Sequence, residues 1–301
     1  NGLWEKIFSD ESLKDKKIEI VVPKVVVAEI EYQANIKKDV GYAGLKELEK
    51  MKEYKEKGII KELKFVGRRP TLEEIKLMKN KYLSHVALNG AGVIHDVEIA
   101  LQGETSEEVE KELISGNFGM AEETAKFINN AIVEGAKKGW GLGESVGRKI
   151  QEENLPFKEL SILYSGINFN IPVTVHVALG TDIIHMHPSC NPEYIGRSTH
   201  QDFLLFGSIL TKLERGIYFN IGSSVVLPEV FLKALTLARN LGSQVKNFTT
   251  VNLDFITHYR PLVNVVKRPT ILGGKGFNLI GHHEIMLPIL SAAFKGALRN
   301  K

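Results

Sequence analysis

Two stretches of the chain share one plan, and that plan limits what it can fold into. VALNGAGVIHDVEIAL, residues 86–101, and GIYFNIGSSVVLPEVFL, residues 216–232, each pass from a short apolar run through small residues into an amphipathic run. A short apolar run bounded by turn residues reads as a strand, and the longer period that follows reads as a helix. Further strands are expected in PVTVHVAL and FTTVNL. Further helices are expected in MAEETAKFINNAIVEGAKKG, closed by Gly139, and in PEVFLKALTLARNLG, with Pro228 near its start and Gly242 at its end. Strands that alternate with helices pack as an α/β fold around a mainly parallel, doubly wound sheet, here with a small N-terminal α/β segment.

In such sheets the ligand lies beyond the C-terminal ends of the strands, where glycines let the backbone approach a phosphate at a helix N-terminus. The first stretch is read as a strand over residues 86–88, a tight Gly90/Gly92 turn and a helix starting near Val93, with Asn89, Gly90, Gly92, His95 and Asp96 lining the crevice. In the second, Gly222, Ser223 and Ser224 offer N–H groups and hydroxyls without bulk, which suits a phosphate or a ribose. A tight turn with no ligand is the alternative at both places. GWGLGESVG, residues 139–147, is richer in glycine but follows a helix, so it is read as a helix-to-helix connection with Gly139 as the C-cap and Trp140 on the core.

Composition sets the outer limits. A chain of 301 residues, 43% hydrophobic with 27 Gly and 10 Pro, can bury a large core in one or two domains. A formal charge of +3, with no basic run interleaved with aromatics, gives no reason to expect nucleic acid. The single cysteine, Cys190, excludes an intrachain disulfide and a multi-cysteine zinc site, which fits a reducing cytoplasm. No apolar run approaches the ~18 residues of a membrane span, so a cytoplasmic chain with no membrane partner is expected. The character changes near residue 78: Lys and Glu dominate before it, Gly, His and Asn after it. Before it, IEIVVP reads as a strand and residues 44–56 as a helix; after it, TSEEVEKELISG opens a helix with Thr105 as N-cap and Glu108 as its reciprocal partner.

Histidines supply the chemistry. Five of the nine lie in HVALGTDIIHMHP, residues 176–188, and GHHEI, residues 281–285, beside Asp182 and Glu284. His185 and His187 are two apart and would share a face of an extended strand, where His282, His283 and Glu284 could converge on them. Such a cluster could handle protons near neutral pH, bind zinc or iron, or consist of neutral structural imidazoles. HYRPLVNVVKRPT adds cations, of which Arg260 and Lys267 are candidates to hold an anionic group; an edge strand marked by Pro261 and Pro269 is the plain alternative.

Taken together, ALNGAGVIHDVEIAL, SGNFGMAEET, IPVTVHVALGTDIIHMHP, GIYFNIGSSVVLPEVFLKAL, FTTVNLDFITHYRP and GHHEIMLPIL make residues 77–297 resemble the deoxyhypusine synthase superfamily, in its deoxyhypusine-synthase-like branch. The resemblance implies a Rossmann-like NAD-binding domain over residues 78–301, a homo-oligomer (dimer or tetramer), and cofactor contacts from Thr181 and Asp182, from Gly222, Ser223 and Ser224, and from Asn252, with His282 and His283 on a further cofactor pair. The family's catalytic lysine falls on Pro269, with Lys267 two residues away, and its acidic polyamine-binding segment is shortened to DFITHYR. The implied activity is therefore that of an NAD-dependent oxidoreductase or transferase acting on a small amine or amino-acid-like substrate, without that lysine. In it His185, His187, His282, His283 and Glu284 would move protons. The rival reading is a metal-dependent enzyme built on the same histidines.

The first 77 residues resemble something else. IVVPKVVVAEIEYQANIKKDVGYAGLKELEKMKEYKEKG followed by LKFVGRRPTLEEIKL is similar to the middle of an archaeal PIN-type nuclease domain, and that resemblance places one metal-binding acid at Glu29. Metal-dependent phosphodiester cleavage needs several carboxylates around its ions, and the family's other acids have no match here. A PIN-type nucleic-acid module is the third reading.

Overall fold

A computed structural model describes residues 20–23, 52, 53, 56, 60–63, 72–105 and 122–299. The chain forms two compact units, Asn1–Gly67 and Arg68–Lys301. In the first, β1 (Ile20–Pro23) and β2 (Ile60–Leu63) pair in parallel, Ile20 opposite Ile60. Glu29, most of the helix expected over residues 44–56, and the segment 106–121 that follows Thr105 lie outside the described residues.

The second unit has the α/β plan expected from the alternation of strands and helices. After α1 (Leu72–Lys79) come β3 (Val86–Asn89), α2 (Gly90–Gln102), α3 (Glu122–Lys137), α4 (Leu142–Glu152), α5 (Ile162–Phe169), β4 (Val173–His176) and α6 (Pro192–Leu210). Then follow β5 (Ile217–Ile221), α7 (Val226–Asn240), β6 (Thr249–Asp254), β7 (Lys275–Ile280) and α8 (His283–Arg299). All described strand pairs are parallel: β3 with β4, Val86 opposite Val173, and β5 and β7 on either side of β6. Among the described residues no helix is long and apolar enough to cross a membrane.

Each group of strands has its own core. Val97, Ile128, Val146, Leu163 and Val175 are buried around β3 and β4. Phe206, Phe231, Leu235 and Val265 are buried beside β5–β7, where the Tyr218 ring stacks on Phe231 with centroids 3.7 Å apart. Side chains alternate across a strand, so Tyr218, Asn220, Thr250, Asn252 and Asn278 share one face. On the other face Phe219 and Phe277 are 40% and 49% exposed.

Three local expectations are corrected. α2 begins at Gly90 and not near Val93, because Asn89 caps it: its backbone is extended and its Oδ1 accepts from the Gly92 N–H at 2.9 Å. Gly90 and Gly92 are thus the first helical turn. His185 and His187 do not lie on a strand, since Ile183–His185 is a 3₁₀ turn in which Asp182 and His185 cap each other's backbone. HYRPLVNVVKRPT is not an edge strand either. Tyr259–Pro261 is a helical turn that continues as a π-helix through Leu262–Lys267, burying Pro261, Asn264 and Val265 on one side.

The glycine run after α3 does connect two helices, as expected, and its glycines let three elements meet. Gly139 closes α3 at φ 79°, and α4 starts after Gly141. A Cβ on Gly143 would collide with the Val173 carbonyl of β4, and one on Gly141 would collide with Asp202 of α6. Trp140 is half-buried, between the Lys138 ammonium and the Arg148 guanidinium, 4.4 and 4.6 Å from its ring.

Candidate functional site

At the C-terminal ends of β5, β6 and β7 three asparagines stand in register, Asn220 opposite Asn252 and Asn252 opposite Asn278. Their amides form one chain. Asn220 Nδ2 donates to Asn252 Oδ1, Asn252 Nδ2 to Asn278 Oδ1, each at 2.8 Å, and Asn278 Nδ2 to Thr257 Oγ1 at 3.0 Å. Asn220 Nδ2 also donates to the Ser223 carbonyl at 2.8 Å, which ties the ladder to the turn before α7. Gly222 adopts φ 66°, in the left-handed region, and its N–H donates to the Leu253 carbonyl. Ser223 Oγ accepts from the Leu227 N–H at 3.2 Å, while Val225 caps α7 with no side-chain bond.

The end of β7 closes over this turn. His283 lies against Gly222, where a Cβ would come within 2.9 Å of its ring, and its Nε2 is 3.1 Å from the Leu253 carbonyl. His282 stacks near Phe255, centroids 6.5 Å apart. The buried Asp254 accepts from the Phe255 N–H, and its second oxygen is 3.9 Å from His258 Nε2. Arg260 reaches the same rim, 3.6 Å from Glu229 Oε1 in the first turn of α7. Glu229 also binds Lys233 and Asn264, and the Lys233 ammonium above all holds its carboxyl below the usual carboxylate range. Glu284 belongs to α8, and its side chain lies outside the described residues.

The ends of β3 and β4 are built differently. Asp182 packs against Gly90 at the start of α2, so closely that a Cβ on Gly90 would collide with its carboxylate. Burial raises the Asp182 carboxyl above its ordinary range, with His185 partly opposing. His185 Nδ1 accepts from the N–H groups of Gly180 and Asp182, each at 3.2 Å, which places its proton on Nε2. Thr181 Oγ1 donates to the Ala178 carbonyl at 2.7 Å. His187 Nδ1 is held by Ser189, whose Oγ also accepts from Asn129 Nδ2. His185 and His187 thus shape their own loop.

Two residues expected at the first crevice face elsewhere. His95 is exposed on α2, past its first turn, while Asp96 is buried and accepts from Ser161 Oγ and from the N–H groups of Ile162 and Leu163 at 2.5–3.1 Å. It caps α5, and burial pushes its carboxyl up to about 6. Asp202 does the same for α4 and β4, accepting from Gly143 and Val175 N–H at 3.0 and 2.8 Å and from Leu142, with burial pushing it up to about 7. Nearby, the Thr174 hydroxyl joins His85 and His176, with Nε2 distances of 2.8 and 3.0 Å. Burial pushes these imidazoles down to about 3 and about 4 and keeps them neutral.

Among the described residues no hydrogen bond, ion pair or ring contact joins His185 or His187 to His282 or His283. Nor does any group of three or more His, Cys, Asp or Glu there have the arrangement of a metal site. Lys267 sits away from the site. Its carbonyl is 3.1 Å from Thr270 Oγ1, and Thr270 packs beside Gly274, next to the Phe248 carbonyl, at the N-terminal ends of β6 and β7. The π-helix runs back along the sheet, leaving Arg260 at the C-terminal rim and Lys267 at the opposite edge. Asn220, Asp254 and Asn278 escaped the sequence reading. The signal for the asparagines was there: a polar amide at the same depth in three apolar strands.

No protein-family model matches the chain. Over 67 residues, 22% of its length, it is 45% identical to an uncharacterized KH- and PIN-domain-containing protein of Methanocaldococcus jannaschii. The matched stretch spans 10% of that protein. This likeness supports a PIN-like region in the chain. It gives no support to the deoxyhypusine-synthase-like resemblance of residues 77–297.

Proposed function

We propose that the Arg68–Lys301 unit binds NAD at the C-terminal rim of β5–β7 and acts as a deoxyhypusine-synthase-like oxidoreductase or transferase on a small amine or amino-acid-like substrate. The observation that carries this reading is the turn of Gly222, Ser223 and Ser224 between a parallel strand and α7. It has a left-handed glycine, two hydroxyl residues and a helix start with no capping side chain of its own at Val225. The positive end of a 15-residue helix favours a pyrophosphate, with Leu227 N–H already held by Ser223 Oγ and Pro228 offering none, and Arg260 at the same rim adds positive charge. The buried Asn220 Oδ1 has no hydrogen-bond partner, and a ligand that donates to it would satisfy it. Bound NAD would supply a hydride acceptor. The chain's own part would be to orient it with Asn252 and the turn, and to move protons with His258, His282 and His283 around the buried Asp254.

Asn89, Gly90, Thr181 and Asp182 belong to the reading as a second wall, although the Asp182 carboxylate already occupies the start of α2. With Lys267 at the opposite edge of the sheet, a covalent amine carrier is not part of it. The exposed Phe219 and Phe277 support assembly into a homo-oligomer, which sedimentation checks directly. Calorimetric titration of the full chain with NAD, followed by incubation with NAD and a panel of small amines while the absorbance of the reduced nicotinamide is watched, tests the function. Saturable binding is expected; a chain that takes up no NAD removes the reading.

A second reading applies to the N-terminal unit. The match to the KH- and PIN-domain protein supports a PIN-like region, which the resemblance of the first 77 residues assigns to this unit, and with it a role in contact with nucleic acid. Incubation of the chain with labelled single-stranded RNA and divalent cations tests it. Retention without cleavage is expected from an incomplete set of acids, and no retention sinks it.

A further inference from the structure

The asparagine ladder ends in an acceptor that receives nothing. Asn220 is 2% exposed; its Nδ2 serves both the Ser223 carbonyl and Asn252 Oδ1, and its Oδ1 is buried without a partner. Turning the amide over does not remove the defect, because Oδ1 would then face two other acceptors. What the oxygen lacks is therefore a donor. A buried carbonyl left unpaired costs on the order of 1–3 kcal/mol, which a ligand that donates to it would recover. The oxygen belongs to the amide whose Nδ2 grips the Ser223 carbonyl in the turn that opens α7. Gly222, at φ 66°, starts that turn in the left-handed region.

Resting on the dinucleotide reading above, we propose that Asn220 reads the sugar of a nucleoside diphosphate. The pyrophosphate lies on the N–H groups of Ser223 and Ser224 and the start of α7, and a ribose hydroxyl donates to Asn220 Oδ1. A phosphate oxygen cannot fill that place, since it is an acceptor too. Asn252 and Asn278 hold the amide in this sense by passing every donor toward Thr257. Asn220 thus discriminates between ligands that share a pyrophosphate but differ in the sugar.

The test titrates the full chain with NAD, ADP, 2′,3′-dideoxy-ADP and inorganic pyrophosphate by calorimetry. ADP is expected to bind about tenfold more tightly than its dideoxy analogue, the gap that one buried hydrogen bond commands. In Asn220→Leu the gap between ADP and its dideoxy analogue closes to within about twofold, whatever the lost tie to Ser223 does to pyrophosphate affinity. Equal affinity of the unaltered chain for ADP and the dideoxy compound overturns the assignment and leaves dinucleotide binding standing, as does binding of NAD without binding of ADP. An Asn220→Leu chain that keeps the roughly tenfold gap between ADP and the dideoxy compound also overturns it. The comparison on the unaltered chain decides the matter even where the variant does not fold. If neither NAD nor ADP binds, the dinucleotide reading itself falls.

Discussion

The β3–β4 half of the Arg68–Lys301 unit and its β5–β7 half apply the same strand–turn–helix plan to opposite ends. Around β3 and β4 the polar groups turn inward: Asp96 caps α5, Asp202 joins α4, β4 and α6, and Asp182 sits on the start of α2. Around β5–β7 they line up at the rim, where α7 has no capping side chain on Val225 and the ladder ends in an unpaired carbonyl. Small residues after a strand thus do not by themselves mark a site. At Gly90 they make room for an internal carboxylate; at Gly222 they turn the chain so that Ser223 Oγ receives the Leu227 N–H in the first turn of α7.

Removing an internal carboxylate should break the first half outright. Asp202→Ala strands three buried N–H groups and opens a cavity, so a loss of about 4 kcal/mol and a fall in melting temperature of roughly 10 °C are expected by calorimetry. A loss below about 1 kcal/mol would show that the network does not hold this half together. At the rim the expected cost is smaller. Gly222→Ala forces a side chain into the left-handed region and displaces His283, for about 1–2 kcal/mol in urea unfolding, and it weakens NAD binding; unchanged affinity would move the ligand away from this turn.

The two kinds of buried titratable group in the first half oppose each other with pH. Asp96 and Asp202 are raised from 3.8 to about 6 and about 7, so the stability they contribute is present at low pH and is lost as pH rises through those values. His85 and His176 are lowered from 6.5 to about 3 and about 4, so the stability they contribute is present above 6.5 and is lost as pH falls. Near pH ~5 the native state holds two protons on the carboxyls and the unfolded state two on the imidazoles, and stability should be nearly flat. Asp202→Asn removes one native proton, and stability should then rise by about 1.4 kcal/mol per pH unit between pH ~4.5 and ~6, read from urea midpoints; a flat profile in the variant would refute the balance. The smallest effect is expected on the surface. Lys149 bridges Glu134 and Glu153, and Lys149→Met should cost under about 0.5 kcal/mol because solvent screens both pairs.

The alternation of strands and helices was legible because apolar period and punctuation agreed. VALNGAG and FNIGSS each announce a strand and the helix after it, and FTTVNL announced β6. The π-helix was hidden by β-branched residues and two prolines. Yet Pro261, Asn264 and Val265 are spaced as one helical face, and Pro261 stands in its first turn, where it does no harm. The 3₁₀ turn was hidden by a strand-like HMH alternation, though Asp182 followed three residues later by His185 carried the form of a capping pair. Whether histidines from two distant segments meet is set by tertiary packing, and no spacing in either segment encodes it.

The reach of Asp202 also sets an order of events in the cell. The N–H groups it receives lie 59 and 27 residues before it. A chain emerging from the ribosome exposes α4 and β4 first, and until α6 follows, those N–H groups belong to water. Synthesis arrested between β4 and the middle of α6 should therefore leave a nascent chain with helices but no locked core, open to proteases and chaperones until one late carboxylate arrives.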